Sequence, residues 1–234
     1  MDGNGRWAQL RRRPRIFGHI KGARIAKKII TYCSDRKIPY LTLYAFSSEN
    51  WLRPQGEVSF LMLLLRRYLK KETENLVKKN IRFEVVGDLN KLPADILSAI
   101  EHTKKRTAHC TGLTAIFAIS YGSRQEITEA AKKIAQRVLD GELKVDEIEE
   151  STLHNELYTS QIPDPDLIIR TSGEQRISNF LMWQAAYAEL YFSKTLWPDY
   201  KTSDLEIALE WFAQRERRFG AIQLESDDNE LPIN

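Results

Sequence analysis

Apolar and polar positions follow two patterns along this chain: short apolar runs bounded by turn residues, and longer stretches with helical spacing. The short runs predict strands at 40–46, 82–87, 113–119, 167–169 and 187–192. The longer stretches predict helices at 19–35, 57–79, 94–107, 126–139 and 203–219, with a shorter helix-like run at 180–183. Strands and helices that alternate in this way predict a single-domain α/β fold with a mostly parallel central sheet and helices on both faces.

Polar side chains are concentrated where predicted strands end. The strand at 40–46 runs into SSENWLRP, and the strand at 167–169 runs into RTSGEQRIS. In open α/β sheets, ligands bind beyond the carboxyl ends of the strands. The guanidinium groups of Arg170 and Arg176, the hydroxyl of Ser178 and nearby loop amides would together suit a phosphate or diphosphate group.

Several of these side chains also have a purely structural interpretation. The two arginines could pair at the surface with Asp166 and Glu174, and such exposed ion pairs contribute little. His19 stands at a predicted helix start, where a cap is the common role of a lone histidine. Asn50 could simply form a turn. These alternatives stay open at the level of sequence.

The N-terminal segment combines a glycine turn with a concentrated positive charge. MDGNGRW reads as a loop whose closely spaced glycines let backbone N–H groups point at an anion. Residues 1–30 hold nine Lys or Arg and one acid, although the net charge of the chain is only +3. This concentration suggests binding to phosphates, anionic lipid head groups or nucleic acid.

Composition excludes several classes of protein. The two cysteines, Cys33 and Cys110, lack metal-ligand spacing, which argues for a reducing, cytoplasmic setting. No apolar run approaches the ~20 residues of a membrane-spanning helix, so any membrane contact is expected from one side. No Ser-His-Asp arrangement, HExxH zinc site or Walker lysine loop is present in the sequence. Many phosphate-binding groups with few carboxylates favour chemistry in which Mg²⁺ accompanies a diphosphate.

At this point a resemblance covers most of the chain. MDGNGRW, the pair Arg15 and His19, LYAFSSENWLRP and IRTSGEQRISNFLMWQAAYAELYF resemble the signature regions of the cis-prenyltransferase family, close to its bacterial undecaprenyl diphosphate synthases. The resemblance implies one catalytic domain at 1–220, and the acidic composition of 221–234 predicts a disordered tail. It also implies repeated, Mg²⁺-dependent condensation of isopentenyl diphosphate onto farnesyl diphosphate with cis geometry. The implied product is a long-chain polyprenyl diphosphate, undecaprenyl diphosphate, from which the lipid carrier of cell-wall synthesis is made.

The resemblance also implies a role for each candidate residue. Asp2 corresponds to the catalytic, Mg²⁺-binding aspartate, and Asn50 to a second catalytic residue that orients substrate. Glu189 corresponds to a second metal ligand delivered across a dimer interface, and the apolar helix around 58–69 to the wall of a tunnel for the growing chain. The residues that would hold the allylic diphosphate are Gly3, Asn4, Gly5, Arg6, Trp7, Arg15 and His19. The loop that would close over the substrate contains Ser47, Ser48, Glu49, Trp51 and Arg53. The residues that would hold isopentenyl diphosphate are Arg170, Arg176, Ile177 and Ser178.

The expected partners follow from the same resemblance. They are farnesyl and isopentenyl diphosphate, a second copy of the chain, and the cytoplasmic membrane through the product, with no nucleic acid. The sequence departs from the family pattern before Asp2, where members carry an apolar strand, so the usual first strand is expected to be lacking. This departure keeps an alternative open, a non-catalytic member that acts as a binding or regulatory subunit. A nucleic-acid-binding module based on residues 6–28 is a weaker alternative.

Overall fold

The computed structural model describes residues 1–215, in which helices and parallel strands alternate. The helices are α1 (Asn4–Leu10), α2 (Arg15–Asp35), α3 (Gln55–Lys78), α4 (Ala94–Thr107), α5 (Ser123–Leu139), α6 (Glu150–Glu156) and α7 (Thr202–Ala213). The strands are β1 (Tyr40–Ser47), β2 (Arg82–Val86), β3 (Thr114–Tyr121), β4 (Leu167–Arg170) and β5 (Glu189–Phe192).

All strand pairs of the described chain are parallel, and they fall into two sheets. In the larger sheet β3 lies between β1 and β2, and Ile116 stands opposite both Thr42 and Glu84. In the smaller sheet β4 pairs with β5, with Ile168 opposite Leu190. The predicted α/β class with parallel strands is confirmed.

The core lies on both faces of β3, the most buried strand. Phe117 and Ile119 pack with Phe83 in the larger hydrophobic cluster, which also takes side chains of α2, α3 and α4. Ile116 and Ala118 point to the opposite face and pack in a second cluster with the segment that follows β4. This alternation, with both faces covered, explains why the predicted strands read as almost continuous apolar runs.

A cavity of about 690 Å³ lies between the outer edges of β1 and β4. It is lined by residues 40–45 and 47 of β1 and by residues 167–171 at β4. Within residues 1–215, β1 pairs with β3 alone and β4 pairs with β5 alone, so one backbone edge of each strand faces this cavity. No strand of residues 1–215 lies between them.

We expect that an apolar, β-branched segment of about six residues, fused before Met1, would fill this cavity as a strand between β1 and β4. Met1 lines the cavity, so a fused segment enters it directly. Each net backbone hydrogen bond contributes about 1 kcal/mol. Thermal unfolding followed by circular dichroism should therefore show a midpoint roughly 5 °C higher or more. A Gly-Ser extension of equal length is the control, and equal midpoints for the two extensions would contradict the prediction.

Two short segments differ from their sequence predictions. The predicted loop MDGNGRW instead enters helix α1 at Asn4, because Gly3 adopts a left-handed φ of 100° and its carbonyl accepts the Trp7 N–H at 2.8 Å. The helix-like run at 180–183 forms turns, because Leu181 is buried with a φ of 47°, which no helix accommodates.

Two further predictions concern the C-terminal part and the membrane. The last turn of the helix predicted at 203–219, beyond Arg215, and the acidic tail at 221–234 lie outside the described residues. Among residues 1–215, no helix combines the length and the apolar character that crossing a membrane requires.

Candidate active site

Asp2 is fixed at the carboxyl end of β4. Its amide N–H donates to Oγ1 of Thr171 at 2.9 Å, and the Thr171 hydroxyl donates to the Asp2 carbonyl oxygen at 2.9 Å. In the side chain, Oδ2 accepts from Arg170 Nη2 at 3.0 Å and Oδ1 accepts the Gly3 N–H at 2.6 Å. Burial by itself raises the pKa of Asp2, but the hydrogen bonds from Arg170 and Gly3 and the nearby arginine charges outweigh it and lower that pKa. The carboxylate is therefore ionised at neutral pH.

The loop after β4 folds back onto Arg170. Besides its ion pair with the side-chain carboxylate of Asp2, the Arg170 guanidinium donates to Ser178 Oγ at 2.7 Å and to the Arg176 carbonyl. Arg176 pairs with Glu174, which also lies 2.9 Å from Arg6. Arg176 thus forms the surface pair with Glu174 and also lines the cavity, whereas Arg170 is only 15% exposed and pairs with Asp2.

Glu57 joins three of the residues that were predicted to bind substrate. Its Oε2 lies 3.3 Å from Arg15 Nε, and its Oε1 lies 3.3 Å from His19 Nε2 and 2.9 Å from Arg53 Nη1. Burial by itself raises the pKa of Glu57, but the two arginines outweigh it and lower that pKa. Burial lowers the pKa of His19 despite its hydrogen bond to Glu57, so His19 is neutral at pH 7.

The loop after β1 is a short 3-10 turn held by its own side chains. Asn50 Oδ1 accepts the Ser47 N–H at 3.2 Å, so the amide oxygen takes part in the turn. The turn-forming interpretation of Asn50 therefore holds alongside any substrate contact. Trp51 donates its indole N–H to Ser120 Oγ at 3.0 Å and packs edge-on against Phe46, which gives it a structural role.

The predicted substrate role of Trp7 does not agree with its position. Its indole is buried, its N–H donates to Asp199 Oδ1 at 2.7 Å, and the Arg11 guanidinium covers the ring at 4.3 Å. Trp7 therefore anchors α1 to the segment before α7. The Ser48 hydroxyl is also buried, close to the backbone of Gly122.

One cavity, the one between β1 and β4, brings most of the predicted site residues together. Those that line it are Asp2, Asn4, His19, Ser47, Glu49, Asn50, Arg53, Arg170, Arg176, Ile177 and Ser178. The others lie beside it or away from it: Gly3, Gly5, Arg6, Trp7, Arg15, Ser48, Trp51 and Glu189. Gly5 faces the guanidinium of Arg15, whose carbon would lie 2.8 Å from an added Cβ.

Comparisons with known proteins identify the family to which this chain belongs. The protein-family model of undecaprenyl diphosphate synthase matches residues 1–220. The chain is 50% identical to the isoprenyl transferase of Geobacter sulfurreducens, over 94% of this chain and 89% of that protein. The chain belongs to the cis-prenyltransferase family.

Two further comparisons agree with this membership. The chain is 46% identical to the ditrans,polycis-undecaprenyl-diphosphate synthase ((2E,6E)-farnesyl-diphosphate specific) of Micrococcus luteus, over 95% of this chain and 90% of that protein. The crystal structure of lavandulyl diphosphate synthase from Lavandula x intermedia, in complex with dimethylallyl diphosphate, matches with a TM-score of 0.91 at 38% identity. That match covers 94% of this chain and 95% of the other.

This cis-prenyltransferase does not bring its two predicted metal ligands together within one chain. Glu189 stands opposite Leu167, at the start of β4, whereas Asp2 contacts Arg170 three residues further on. At about 3.3 Å per residue the separation is roughly 10 Å. Glu189 instead lies 3.4 Å from Arg215.

A magnesium ion held jointly with substrate fits the residues that are present. Among residues 1–215, no three His, Cys, Asp or Glu side chains are grouped as a complete metal site. Mg²⁺, however, commonly takes one or two protein carboxylates and completes its shell with waters and substrate phosphates. The ionised, partly exposed carboxylate of Asp2, which lies beside the guanidiniums of Arg170 and Arg6, is suited to such an ion.

Three residues of the site were missed by the sequence reasoning. Glu57 had a visible signal, since it stands four residues after Arg53 in the first turn of a predicted helix. Thr171 and Asn179 stand next to predicted residues, yet their contacts reach 169 and 130 positions along the chain. Contacts of that range have no signature in a single sequence.

Proposed function

We propose that this chain condenses isopentenyl diphosphate repeatedly onto an allylic diphosphate, farnesyl diphosphate, with cis geometry. The product is a long-chain polyprenyl diphosphate of the undecaprenyl type, used as the lipid carrier of cell-wall synthesis. The observation that carries this proposal is the contact between Asp2 and Arg170. It joins the N-terminal glycine turn to the two-arginine loop, the segment 170–178 that carries Arg170 and Arg176. The two segments proposed to bind anions therefore meet at one point.

The two segments suit two diphosphates. The first backbone N–H groups of α1 have no partner within the helix, and with Arg15 and His19 they would hold the allylic diphosphate. Arg170, Arg176 and Ser178 would hold isopentenyl diphosphate. The arginines can bind phosphate oxygens bidentately, while the neutral His19 donates its single N–H to the Glu57 carboxylate and so helps to keep that acid beside Arg15.

The residues also divide the chemistry of one addition. The allylic diphosphate departs as a new carbon–carbon bond forms, and the isopentenyl unit loses one proton. The guanidiniums and the α1 amides stabilise the departing anion. When bound at Asp2, Mg²⁺ would neutralise further diphosphate charge. Asn50 orients the isopentenyl unit, since a neutral amide is a poor base, and a diphosphate oxygen takes the proton.

The growing hydrocarbon chain needs an apolar path away from this site. The cavity between β1 and β4 is unsuited to it, because two backbone edges with polar groups form its walls. Helix α3 offers a better surface: Leu61 lines the site cavity, and Leu64 and Tyr68 line a groove of about 720 Å³ between α2 and α3. These positions recur at helical spacing on one face of α3. We therefore assign the chain path to the side of α3 that faces α2.

The proposal is tested by incubating the protein with farnesyl diphosphate, labelled isopentenyl diphosphate and Mg²⁺. We expect label in a butanol-extractable product, and loss of that product when EDTA removes the ion. Absence of labelled product with Mg²⁺ present would contradict the proposal. The non-catalytic alternative predicts that absence, but Asp2, Arg170 and Arg176 are all retained, and the two relatives named above are a transferase and a synthase.

We also propose that the enzyme works as a homodimer formed by the β5 region, and that residues 1–220 are the catalytic unit. Glu189 begins β5 and lies too far from Asp2 of its own chain to share an ion, so a partner copy would have to supply it. Tyr187 and Leu190 are apolar and exposed next to it, at 74% and 39%. Light scattering of wild type and Leu190→Asp tests this, with a dimer expected for the first and a monomer for the second.

The product also implies contact with a membrane, and the α2–α3 groove is the surface we propose for it. Its floor is apolar, and its rim carries four cations without an ion pair among the described residues. Anionic lipid head groups would complement this rim, with about 1 kcal/mol per basic residue near the surface. The four cations are Arg24, Lys28, Arg67 and Lys71.

Charge reversal in this groove should weaken binding to anionic vesicles. Replacing Lys28 and Lys71 with glutamate is expected to lower cosedimentation with phosphatidylglycerol vesicles by roughly tenfold or more. Lys105→Glu on α4 is the control, because Lys105 is exposed, has no ion pair in residues 1–215 and lies outside the groove. Equal loss for both proteins, or equal binding to phosphatidylcholine vesicles, would contradict the assignment.

A further inference from the structure

Asn179 makes four hydrogen bonds that tie together three separate segments. Its Oδ1 accepts the Arg124 N–H at 2.8 Å, and its backbone carbonyl accepts the Ser123 N–H at 2.9 Å. Its Nδ2 donates to Glu49 Oε1 at 2.8 Å and to Gln125 Oε1 at 3.0 Å. Both donors of the side-chain amide are therefore used, together with its oxygen.

The backbone at this point is bent so that two loops meet. Ser178 and Asn179 both have positive φ, 48° and 62°, a conformation that asparagine adopts more readily than most residues. At this bend the Ser178 hydroxyl accepts a hydrogen bond from Arg170 at 2.7 Å, and the Asn179 side chain donates one to Glu49 at 2.8 Å. One dipeptide therefore touches both the two-arginine loop and the loop after β1.

Glu49 depends on this contact for its place. Burial by itself raises the pKa of Glu49, but hydrogen bonds from Asn179 and from its own loop outweigh it and lower that pKa. Glu49 is therefore ionised, and no cation lies within ion-pair distance of it among the described residues. The amide of Asn179 holds this negative charge at the rim of a site that must accept diphosphate.

We propose that Asn179 is a positioning residue that joins the isopentenyl diphosphate loop to the loop after β1 and sets the spacing between them. The inference rests on the proposed function for its kinetic consequence, but the physical coupling of the two loops does not. Without this side chain, the bend at 178–179 can relax, Ser178 loses its orientation toward Arg170, and the Glu49 loop is freed.

The test uses two matched glycine variants. Asn179→Gly keeps the positive φ accessible and removes the side chain. Asn80→Gly is the control, because Asn80 also has a positive φ of 55° and its side chain also accepts a backbone N–H, from Thr111 at 2.9 Å, far from the site. Both variants lose a hydrogen bond from a backbone N–H to the asparagine Oδ1, so a merely structural role predicts the same result for both.

Two readouts separate the inference from the proposed function. Hydrogen exchange of the amides at 47–53 should become faster in Asn179→Gly and stay unchanged in Asn80→Gly, whether or not the protein turns over substrate. In the kinetic assay, KM for isopentenyl diphosphate should rise roughly tenfold in Asn179→Gly, the loss of about 1.4 kcal/mol, with KM for farnesyl diphosphate changed much less. Adding Glu49→Ala to Asn179→Gly should then cause little further loss.

The opposite results have distinct meanings. Unchanged exchange at 47–53 in Asn179→Gly would overturn the coupling, even in a fully active enzyme. An equal rise of both KM values, or equal kinetics for the two glycine variants, would overturn the positioning role. A wild-type protein without any activity would contradict the proposed function, while the exchange experiment would still decide whether Asn179 joins the loops.

Discussion

Asp2→Ala is expected to lower kcat/KM by roughly a hundredfold to a thousandfold, the usual loss when one preorganised charge-stabilising group is removed. Asp2 accepts hydrogen bonds from Arg170 and from the Gly3 N–H, so its carboxylate is both ionised and fixed in place. The substitution removes the proposed ligand of the metal ion and also frees Arg170. Steady-state kinetics with saturating Mg²⁺ measure the effect.

A second aspartate provides the control for this prediction. Asp95 also pairs with an arginine, Arg66 at 2.7 Å, but both side chains are more than half exposed and lie on α4 and α3. An exposed pair of this kind contributes about 0–1 kcal/mol to stability, so Asp95→Ala should leave kcat/KM within about twofold of wild type. Near-normal turnover by Asp2→Ala would refute the metal-binding role.

Glu57→Ala is expected to lower kcat/KM by roughly tenfold to a hundredfold, mostly through a higher KM for the allylic diphosphate. Glu57 is 12% exposed, and its two oxygens hold Arg15, His19 and Arg53. Removing it leaves the two guanidiniums and the neutral imidazole without their common acceptor, so the three side chains no longer share one fixed arrangement. Glu57→Gln keeps an acceptor oxygen without the charge, and its loss should be intermediate.

The matched control for this prediction lies on the same helix. Glu74 accepts three hydrogen bonds from Arg106 but is 60% exposed and remote from the site cavity. Glu74→Ala should therefore change neither KM value by more than about twofold. If Glu57→Ala and Glu74→Ala had the same KM for farnesyl diphosphate, Glu57 would have no part in arranging the site.

The sequence predicted the fold and the meeting of strand ends for a simple physical reason. Buried parallel strands are apolar on both faces, so β3 is visible as a nearly uninterrupted run, and its carboxyl end must share an edge with that of its parallel neighbour β1. The approach of Arg170 to the N-terminal segment followed from that rule and from the resemblance. Helix starts were less visible, since α2 begins at Arg15, four residues before its predicted start.

What the sequence could not supply depends on tertiary contacts. Trp7 stands in a motif rich in site residues, yet its indole faces Asp199, a partner 192 positions away. The run at 180–183 has helical spacing, but Phe180 stacks on Tyr44 with ring centroids 4.5 Å apart, and this packing fixes turns instead. In each case a distant partner decided the local structure, and a local pattern carries no information about it.

The separation of the strands into two sheets has the same character. The sequence indicated where each strand lies along the chain. It did not indicate that β1 and β4 fall in different sheets, because strand pairing depends on tertiary contacts. The cavity that results contains Asp2, Asn50 and Arg170 at one end. Because these site residues line the cavity, we expect substitutions that change its packing to change the positions of the site residues as well.

Mass spectrometry of the product is the most direct measurement of the central claim. The protein, with Mg²⁺, farnesyl diphosphate and excess isopentenyl diphosphate, should give a ladder of polyprenyl diphosphates that differ by one isoprene unit and accumulate at one long chain length. Asp2→Ala should leave farnesyl diphosphate unextended. Unextended farnesyl diphosphate in the wild-type reaction, or a single short product without a ladder, would contradict the proposal that these residues carry out repeated chain elongation.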